Sequence, residues 1–284
     1  MKILSFDIED WFHLLDHSGT EKPADWENFP KRLDSNVQRI LDILDENNKK
    51  ASFFILGWVG KNYPNLVKDI YQRGHDIGTH SLNHQLVYKQ TPEEFEIDLK
   101  QSLDILSNLT GEKITYYRAP GFSIKKEQVW AFEILKDNGI EIDCSIFPAL
   151  RSHGGFKEFG HAQPTKLKLK NGFMKAYPMN LAKTFSMKYV FSGGGYFRLL
   201  PYPIINYLTN KSEYVMTYFH PRDFDPNQPV IDNLSPLKYF KSYVGLKSAE
   251  DKLKKLIKDH EFLSLLDVDK KIDWNAAKIF DLTK

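Results

Sequence analysis

The chain reads as an α/β protein built on a parallel sheet or barrel, and three observations predict it. In the first half, short apolar runs alternate with helix-patterned segments five times. Short apolar strands of this kind, joined by helices, are buried on both faces. The residues able to carry chemistry, Asp7, His80, Arg118 and Asp143, fall at the carboxyl ends of those runs. In parallel α/β folds that edge is where sites form.

Each element has a local reason. Lys2 to Phe6 is a short apolar strand that ends in acids. Lys31 to Asn48 is a helix that Asp34 or Ser35 can cap, with Val37, Ile40, Leu41 and Leu44 as its buried stripe. Ala51 to Leu56 is the second strand. A helix from about Pro64 buries Leu66, Val67 and Ile70 and stops at Gly74. His75 to Thr79 is the third strand. Thr91-Pro-Glu-Glu94 is a capping box with proline at the first helical position, and its helix runs to Gly111. Ile114 to Arg118, a helix over Lys125 to Asn138, and Ile140 to Cys144 complete the repeat.

The second half is less regular. Arg151 to Gly172 reads as an irregular surface loop, although Lys166 to Lys170 alternates with leucine as a strand does. Gly172 to Tyr177 reads as a strand, Pro203 to Thr209 as a short helix, and Glu213 to Phe219 as a strong strand. Leu246 to Lys258 is a helix and Phe262 to Leu266 a last strand. Three glycines at Gly193 to Gly195 permit close backbone approach or positive φ. No repeat or linker interrupts the chain. The expectation is one domain over 1–284, with an irregular region at 145–212 and a helix-strand extension after about 226.

Composition excludes several classes. A net charge of +2 gives no electrostatic pull toward nucleic acid or a membrane surface. No run approaches the roughly 20 apolar residues of a membrane span. A single cysteine, Cys144, rules out an internal disulfide framework and suits a reducing compartment. The first residues enter a strand and lack the long apolar core of a secretory signal. The expected location is cytoplasmic.

The chemistry centres on Arg73-Gly-His-Asp-Ile-Gly-Thr-His80-Ser-Leu-Asn-His84. Histidines four apart share a face where the backbone curls, and two neutral imidazoles begin a metal site. His13 and His17 have the same spacing, so spacing alone does not choose. Asp7 and Glu9 share one face of an extended strand, and with Asp10 they make three acids in four residues. Such a cluster calls for a nearby cation or base. Arg118 can pair with Asp7 and keep it ionised. Pro120-Gly121-Phe122 fixes a tight turn whose amides can hold an oxyanion. Asp143 can orient a catalytic imidazole. His220, at the end of an apolar strand, is placed for proton transfer.

In order, these pieces resemble the polysaccharide deacetylases with the NodB homology fold, carbohydrate esterase family four. The motifs here are Phe6-Asp-Ile-Glu-Asp10, His80-Ser-Leu-Asn-His84, Arg118-Ala-Pro-Gly-Phe122, Asp143-Cys-Ser145 and Tyr218-Phe-His220, over roughly residues 1–225. The Asp7-Ile-Glu-Asp-Trp11 start and Gly193 to Pro201 look like a subgroup linked to exopolysaccharide or surface-polysaccharide synthesis. The resemblance implies a deformed (β/α) barrel of about seven strands. It favours His80 and His84 over His13 and His17. The family's adjacent aspartates are replaced by Asp-Ile-Glu-Asp, which puts Glu9 in the ligand's place with Asp10 as competitor. The third motif lacks a residue between proline and glycine, so either Gly121 or Phe122 supplies the oxyanion donor.

What the resemblance implies is a hydrolase using Zn2+, or another divalent transition metal, to remove an acetyl group from an N-acetylated amino sugar. The sugar would be part of a glycan or linked to a nucleotide or lipid. His80, His84 and one acid hold the metal, Asp7 is the base, and His220 protonates the leaving amine. Arg118 orients Asp7, and Asp143 orients His220. Rival readings on the same fold are a deformylase or an imidase- or allantoinase-like enzyme. Outside catalysis, the rivals are a carbohydrate-binding protein on a decayed barrel and a structural partner in a polysaccharide-synthesis complex.

Overall fold

The computed structural model describes residues 1–284 apart from 16, 18, 152, 185 and 186, with backbone alone at 183, 184, 187 and 188. In chain order the strands are β1 (Lys2–Ile3), β2 (Ser5–Ile8), β3 (Ser52–Ile55), β4 (Asp76–Thr79), β5 (Tyr116–Tyr117), β6 (Ile142–Asp143), β7 (Thr165–Leu169), β8 (Gly172–Ala176), β9 (Ala182–Thr184), β10 (Met187–Tyr189), β11 (Val215–Met216) and β12 (Ile279–Asp281). The helices are α1 (Leu33–Glu46), α2 (Gly57–Asn62), α3 (Pro64–Gln72), α4 (Pro92–Thr110), α5 (Trp130–Asp137), α6 (Gly194–Leu199), α7 (Tyr202–Lys211), α8 (Pro236–Tyr243), α9 (Leu246–Asp259) and α10 (Leu265–Asp269).

Strands β2, β3, β4, β5, β6 and β8 are neighbours in that order, all parallel. β1 and β2 form one run broken at Leu4, and its free edge pairs with β11 at Lys2↔Val215 and, through a single bridge, at Phe6↔Phe219. Seven parallel strands thus curl into a deformed (β/α) barrel. Between β8 and β11 side chains take over from the ladder. Asn180 Oδ1 accepts the Met216 amide at 3.0 Å, and Ser192 Oγ lies 2.9 Å from both Asn180 Oδ1 and Met216 O.

Alternation decides which side chains enter the barrel. Ile3, Phe54, Tyr116, Ile142, Cys144, Tyr214, Met216 and Tyr218 form one apolar cluster inside it. Ser5, Asp7, Arg118 and His220 belong to the same alternating positions as these residues and continue them toward the carboxyl ends. The intervening positions face the helices, as Phe6, Phe53 and Ile55 do against α1 and α3, and Tyr117 against α4 and α5.

Three expectations change. Arg151 to Gly172 is not wholly irregular, because Thr165–Leu169 pairs antiparallel with Gly172–Ala176 in a hairpin. Phe262 to Leu266 is not a strand. It makes one bridge, Leu263 to Ile3, and then turns helical, because the Ser264 side chain accepts the Asp267 amide and starts α10. Neither Asp34 nor Ser35 caps α1. The carboxylate of Asp10 reaches across from the end of β2 to accept the amides of Arg32 at 3.1 Å and Leu33 at 3.2 Å. The capping box at Thr91 and Glu94 forms in full.

Gly78 is a tight point inside the barrel: an added Cβ would lie 2.4 Å from the Tyr116 ring and 2.9 Å from its carbonyl oxygen. Gly78→Ala should therefore cost about 1–3 kcal/mol through overpacking, read as a lower urea midpoint at unchanged slope. An unmoved midpoint would mean that Tyr116 does not fill this space.

Candidate functional site

The mouth of the barrel brings Asp7, Glu9, His80, His84 and His220 together. Glu9 Oε1 lies 3.0 Å from His80 Nε2, 2.9 Å from His84 Nε2 and 3.9 Å from His220 Nε2. Asp7 Oδ2 is also 3.9 Å from His220 Nε2. Four of the five side chains are buried, and His220 is the part-exposed one at 21%.

His80 follows β4, and Ser81 to His84 form a turn rather than a helix. Ser81 and His84 both have left-handed backbones, with φ of 72° and 54°. Such conformations in non-glycine residues cost of order 1–3 kcal/mol each and persist only where the surroundings hold them. Here they are held. The first amides of α2, Gly57 and Trp58, donate to the Ser81 and Leu82 carbonyls at 2.9 Å each. Asp98, from α4, accepts the Leu82 amide at 2.8 Å and the Asn83 amide at 3.3 Å. Burial raises Asp98 to about 6 despite those two bonds. Nothing in its helical stripe marks Asp98 as part of a site.

Arg118 has no solvent exposure. It donates from Nη1 to Asp7 Oδ1 at 2.6 Å and from Nη2 to Ser5 Oγ at 2.9 Å, and its guanidinium lies 4.0 Å above the Phe54 ring. Its own carbonyl oxygen is 2.7 Å from His80 Nδ1. A carbonyl only accepts, so His80 carries its proton on Nδ1 and presents a lone pair at Nε2. That lone pair faces the carboxylate of Glu9. Two acceptors at this distance repel unless a cation lies between them. Glu9, His80 and His84 offer ligand atoms all within 4.8 Å of one another. Two imidazoles and one carboxylate are a fitting donor set for a divalent transition metal with an open position. Burial pushes the Glu9 carboxyl up, but the neighbouring rings of His84, His220 and His80 outweigh it and hold it well below the usual range.

Several candidates fall elsewhere. Asp10 is not at the centre. It is one residue out of phase with Asp7 and Glu9, so its side chain leaves the barrel and caps α1. Asp143 does not reach His220. It too is out of phase with the inward-facing Ile142 and Cys144, and its Oδ2 accepts the Ser145 amide at 2.9 Å. Burial raises it to about 7 against the pull of Ser145 and Arg118. The Phe122 amide is committed to Ala119 O at 3.0 Å, which removes it as an oxyanion donor and leaves Gly121 of the two. The Phe122 ring packs in the barrel cluster.

The partner of His220 is Asp223, which sequence reasoning passed over. Pro221 to Phe224 form a single tight turn, so Asp223 Oδ2 comes back to the His220 amide at 2.9 Å and to His220 Nδ1 at 3.0 Å. Burial works against a charged His220, but Glu9, Asp223 and Asp7 outweigh it and raise it to about 9. Arg198 is an internal residue. It is 5% exposed and pairs through Nε with Asp223 Oδ1 at 2.9 Å. The second histidine pair is divided: His17 Nε2 lies 3.1 Å from Asp232 O, while His13 packs against Trp26 and Trp58.

Residues 25–141 match the family model described as polysaccharide deacetylase, and residues 144–270 match a domain of unknown function, DUF3473. A peptidoglycan-N-acetylglucosamine deacetylase of Bacillus cereus is 36% identical over 96 residues, 34% of this chain and 35% of that protein. The chain thus spans little more than a third of the length of the first curated relatives it matches. A crystal structure from Mycobacterium smegmatis, assigned to the polysaccharide deacetylases, superposes with a TM-score of 0.66 at 16% identity, covering 99% of this chain and 93% of that one. The peptidoglycan deacetylase PdaC of Bacillus subtilis gives 0.50 at 13% identity, over 95% and 90% of the two chains. At these identities the structural likeness is one of fold.

The two acids next to each other should separate cleanly. Glu9→Ala is expected to abolish retention of a divalent cation, measured by elemental analysis after dialysis. Asp10→Ala should keep the cation and lose about 0.5–2 kcal/mol of stability, as removal of a helix cap does. Loss of the cation from Asp10→Ala would reverse the assignment.

Proposed function

We propose that this chain, which belongs to the polysaccharide deacetylase family, is a metal-dependent hydrolase that removes the N-acetyl group from an amino sugar. One observation carries the reading: Asp7, paired with Arg118, and His220 lie 3.9 Å from each other beside the three-ligand cluster of Glu9, His80 and His84. The Bacillus cereus relative is named for peptidoglycan N-acetylglucosamine, which supports an N-acetylated amino sugar as the substrate class. Zinc is the metal that two imidazoles, one carboxylate and an open position suit best.

A bound divalent cation would supply Lewis acidity and lower the pKa of water. The remaining work falls to the chain. Arg118 engages Asp7 Oδ1, so Oδ2 is the oxygen left to take the proton of the attacking water. The Gly121 amide is the backbone donor left for the oxyanion that develops on the amide oxygen. His220 Nε2 then gives a proton to the sugar nitrogen as its bond to the acyl carbon breaks, because an amine leaves poorly without one. Acetate and the free amino sugar result. His80 Nδ1, fixed by the Arg118 carbonyl, keeps the ring in the tautomer whose lone pair points into the site. Among the described residues no helix is long and apolar enough to cross a membrane.

The test is release of acetate from N-acetylglucosamine oligomers and peptidoglycan fragments by the zinc-loaded protein, with and without a chelator. Chelation should abolish release, and added zinc should restore it. Formate released from N-formylated sugars, with no acetate from the acetylated ones, would point to a deformylase. A loaded protein that binds the glycan and releases nothing would make it a binding module. His80→Ala should lose the metal and turnover together. Asp7→Asn should keep the metal while kcat falls by about 10²–10⁴, and normal turnover in that variant would remove Asp7 as the base.

A further inference from the structure

The structure assigns a role to the part of the chain that matches a domain of unknown function: we infer that Asp223, locked by Arg198, is the positioning residue that holds the proton on Nδ1 of His220 and aims its Nε2. The inference rests on the reading of His220 as the general acid.

The geometry is a two-step relay. Asp223 Oδ2 receives both the His220 amide and His220 Nδ1. A carboxylate oxygen that accepts at Nδ1 leaves Nε2 as the nitrogen facing Asp7 and Glu9. Asp223 Oδ1 is not free to share that task, because Arg198 Nε sits 2.9 Å from it. Oδ2 therefore meets two donors, while Oδ1 is held in an ion pair with Arg198. An asparagine has one acceptor oxygen and cannot serve both sides. Asp223 is buried, which alone would push it up, yet Arg198 and His220 bring it down to about 2.

Arg198 is in turn immobilised by backbone. Nη1 donates to the carbonyls of Ser242 at 2.8 Å and Val244 at 3.0 Å, and Nη2 to Lys241 at 2.9 Å. These oxygens lie at the carboxyl end of α8, where the helix dipole favours a cation. The glycines make the fit possible. A Cβ on Gly245 would lie 2.1 Å from Arg198 O, and one on Gly193 would lie 2.3 Å from Tyr218 O. The run Gly193 to Arg198 thus serves an internal clamp rather than a surface ligand. A bidentate fork is what this clamp uses, so lysine is not an equivalent of Arg198.

A purely structural aspartate would stabilise the turn after His220 and leave the ring's protonation pattern alone. The discriminating readout is therefore the proton on Nδ1, from long-range ¹H–¹⁵N spectra of the zinc-loaded protein with His220 assigned by His220→Gln. The wild type should show His220 protonated at Nδ1. Asp223→Asn and Arg198→Met should lose that state. On the same preparations kcat for acetate release should fall by about 10²-fold or more, with KM and zinc content unchanged. Two results would overturn the inference: a wild-type His220 without a proton on Nδ1, or variants with wild-type kcat. The first needs no variant to fold. If the wild type releases no acetate at all, the proposed function fails, and the spectra still decide whether Asp223 holds the Nδ1 proton.

Discussion

A guanidinium with no access to water ties the centre together. Burying Arg118 would cost several kcal/mol without a counter-charge, and Asp7 supplies it at 2.6 Å. Ser5 Oγ, Met216 Sδ and the face of Phe54 also contact the group. The backbone of the same residue accepts His80 Nδ1. The residue that follows β5 thus fixes a carboxylate on β2 and the tautomer of the imidazole that follows β4. These strands are short, four residues at most, so little ladder is available to hold the mouth of the barrel rigid. The charged network does what longer strands would otherwise do. Removing either partner would strand the other as a buried charge, which costs about 3–5 kcal/mol.

Much of this centre was legible because a strand alternates with period two. Asp7 and Glu9 share a face, and so do the inward residues leading to Arg118 and His220. The same rule, applied strictly, excludes Asp10 and Asp143. Both sit one step out of phase, and both are found facing helices or loops rather than the mouth. Their error was one of proximity in sequence standing in for direction in space. The five strand-helix repeats were readable for the same reason, since each rests on local periodicity and on caps such as Thr91 with Glu94.

What stayed hidden depends on contacts distant in sequence or on ties between local signals. Arg198 reaches Asp223 only because α8, more than forty residues on, offers three free carbonyls to hold it. Asp223 itself was within reach: a proline after His220 predicts a tight turn, and a turn returns the third residue to the first. The stretch from Phe262 to Leu266 satisfied both strand and helix as an apolar run, and Ser264 with Asp267 broke the tie. Asp98 carries no sequence mark because its two acceptor oxygens serve backbone amides of a strained turn far along the chain.

Spacing could not tell the two histidine pairs apart, and the structure shows what does. His13 Nδ1 accepts the Asp10 amide at 3.0 Å, and among the described residues its Nε2 meets no acceptor. Its ring is boxed by Phe12, Trp26 and Trp58. Burial holds it well below the usual imidazole range, so it stays neutral, 6.1 Å from the His84 ring. A protonated neighbour there would repel a cation, whereas a neutral one in an aromatic box lines the wall of the site without adding charge. His80 and His84 differ from it in one respect: each presents Nε2 to the same carboxylate oxygen of Glu9. The acid, not the interval between the histidines, is what turns a pair of rings into a place for a metal.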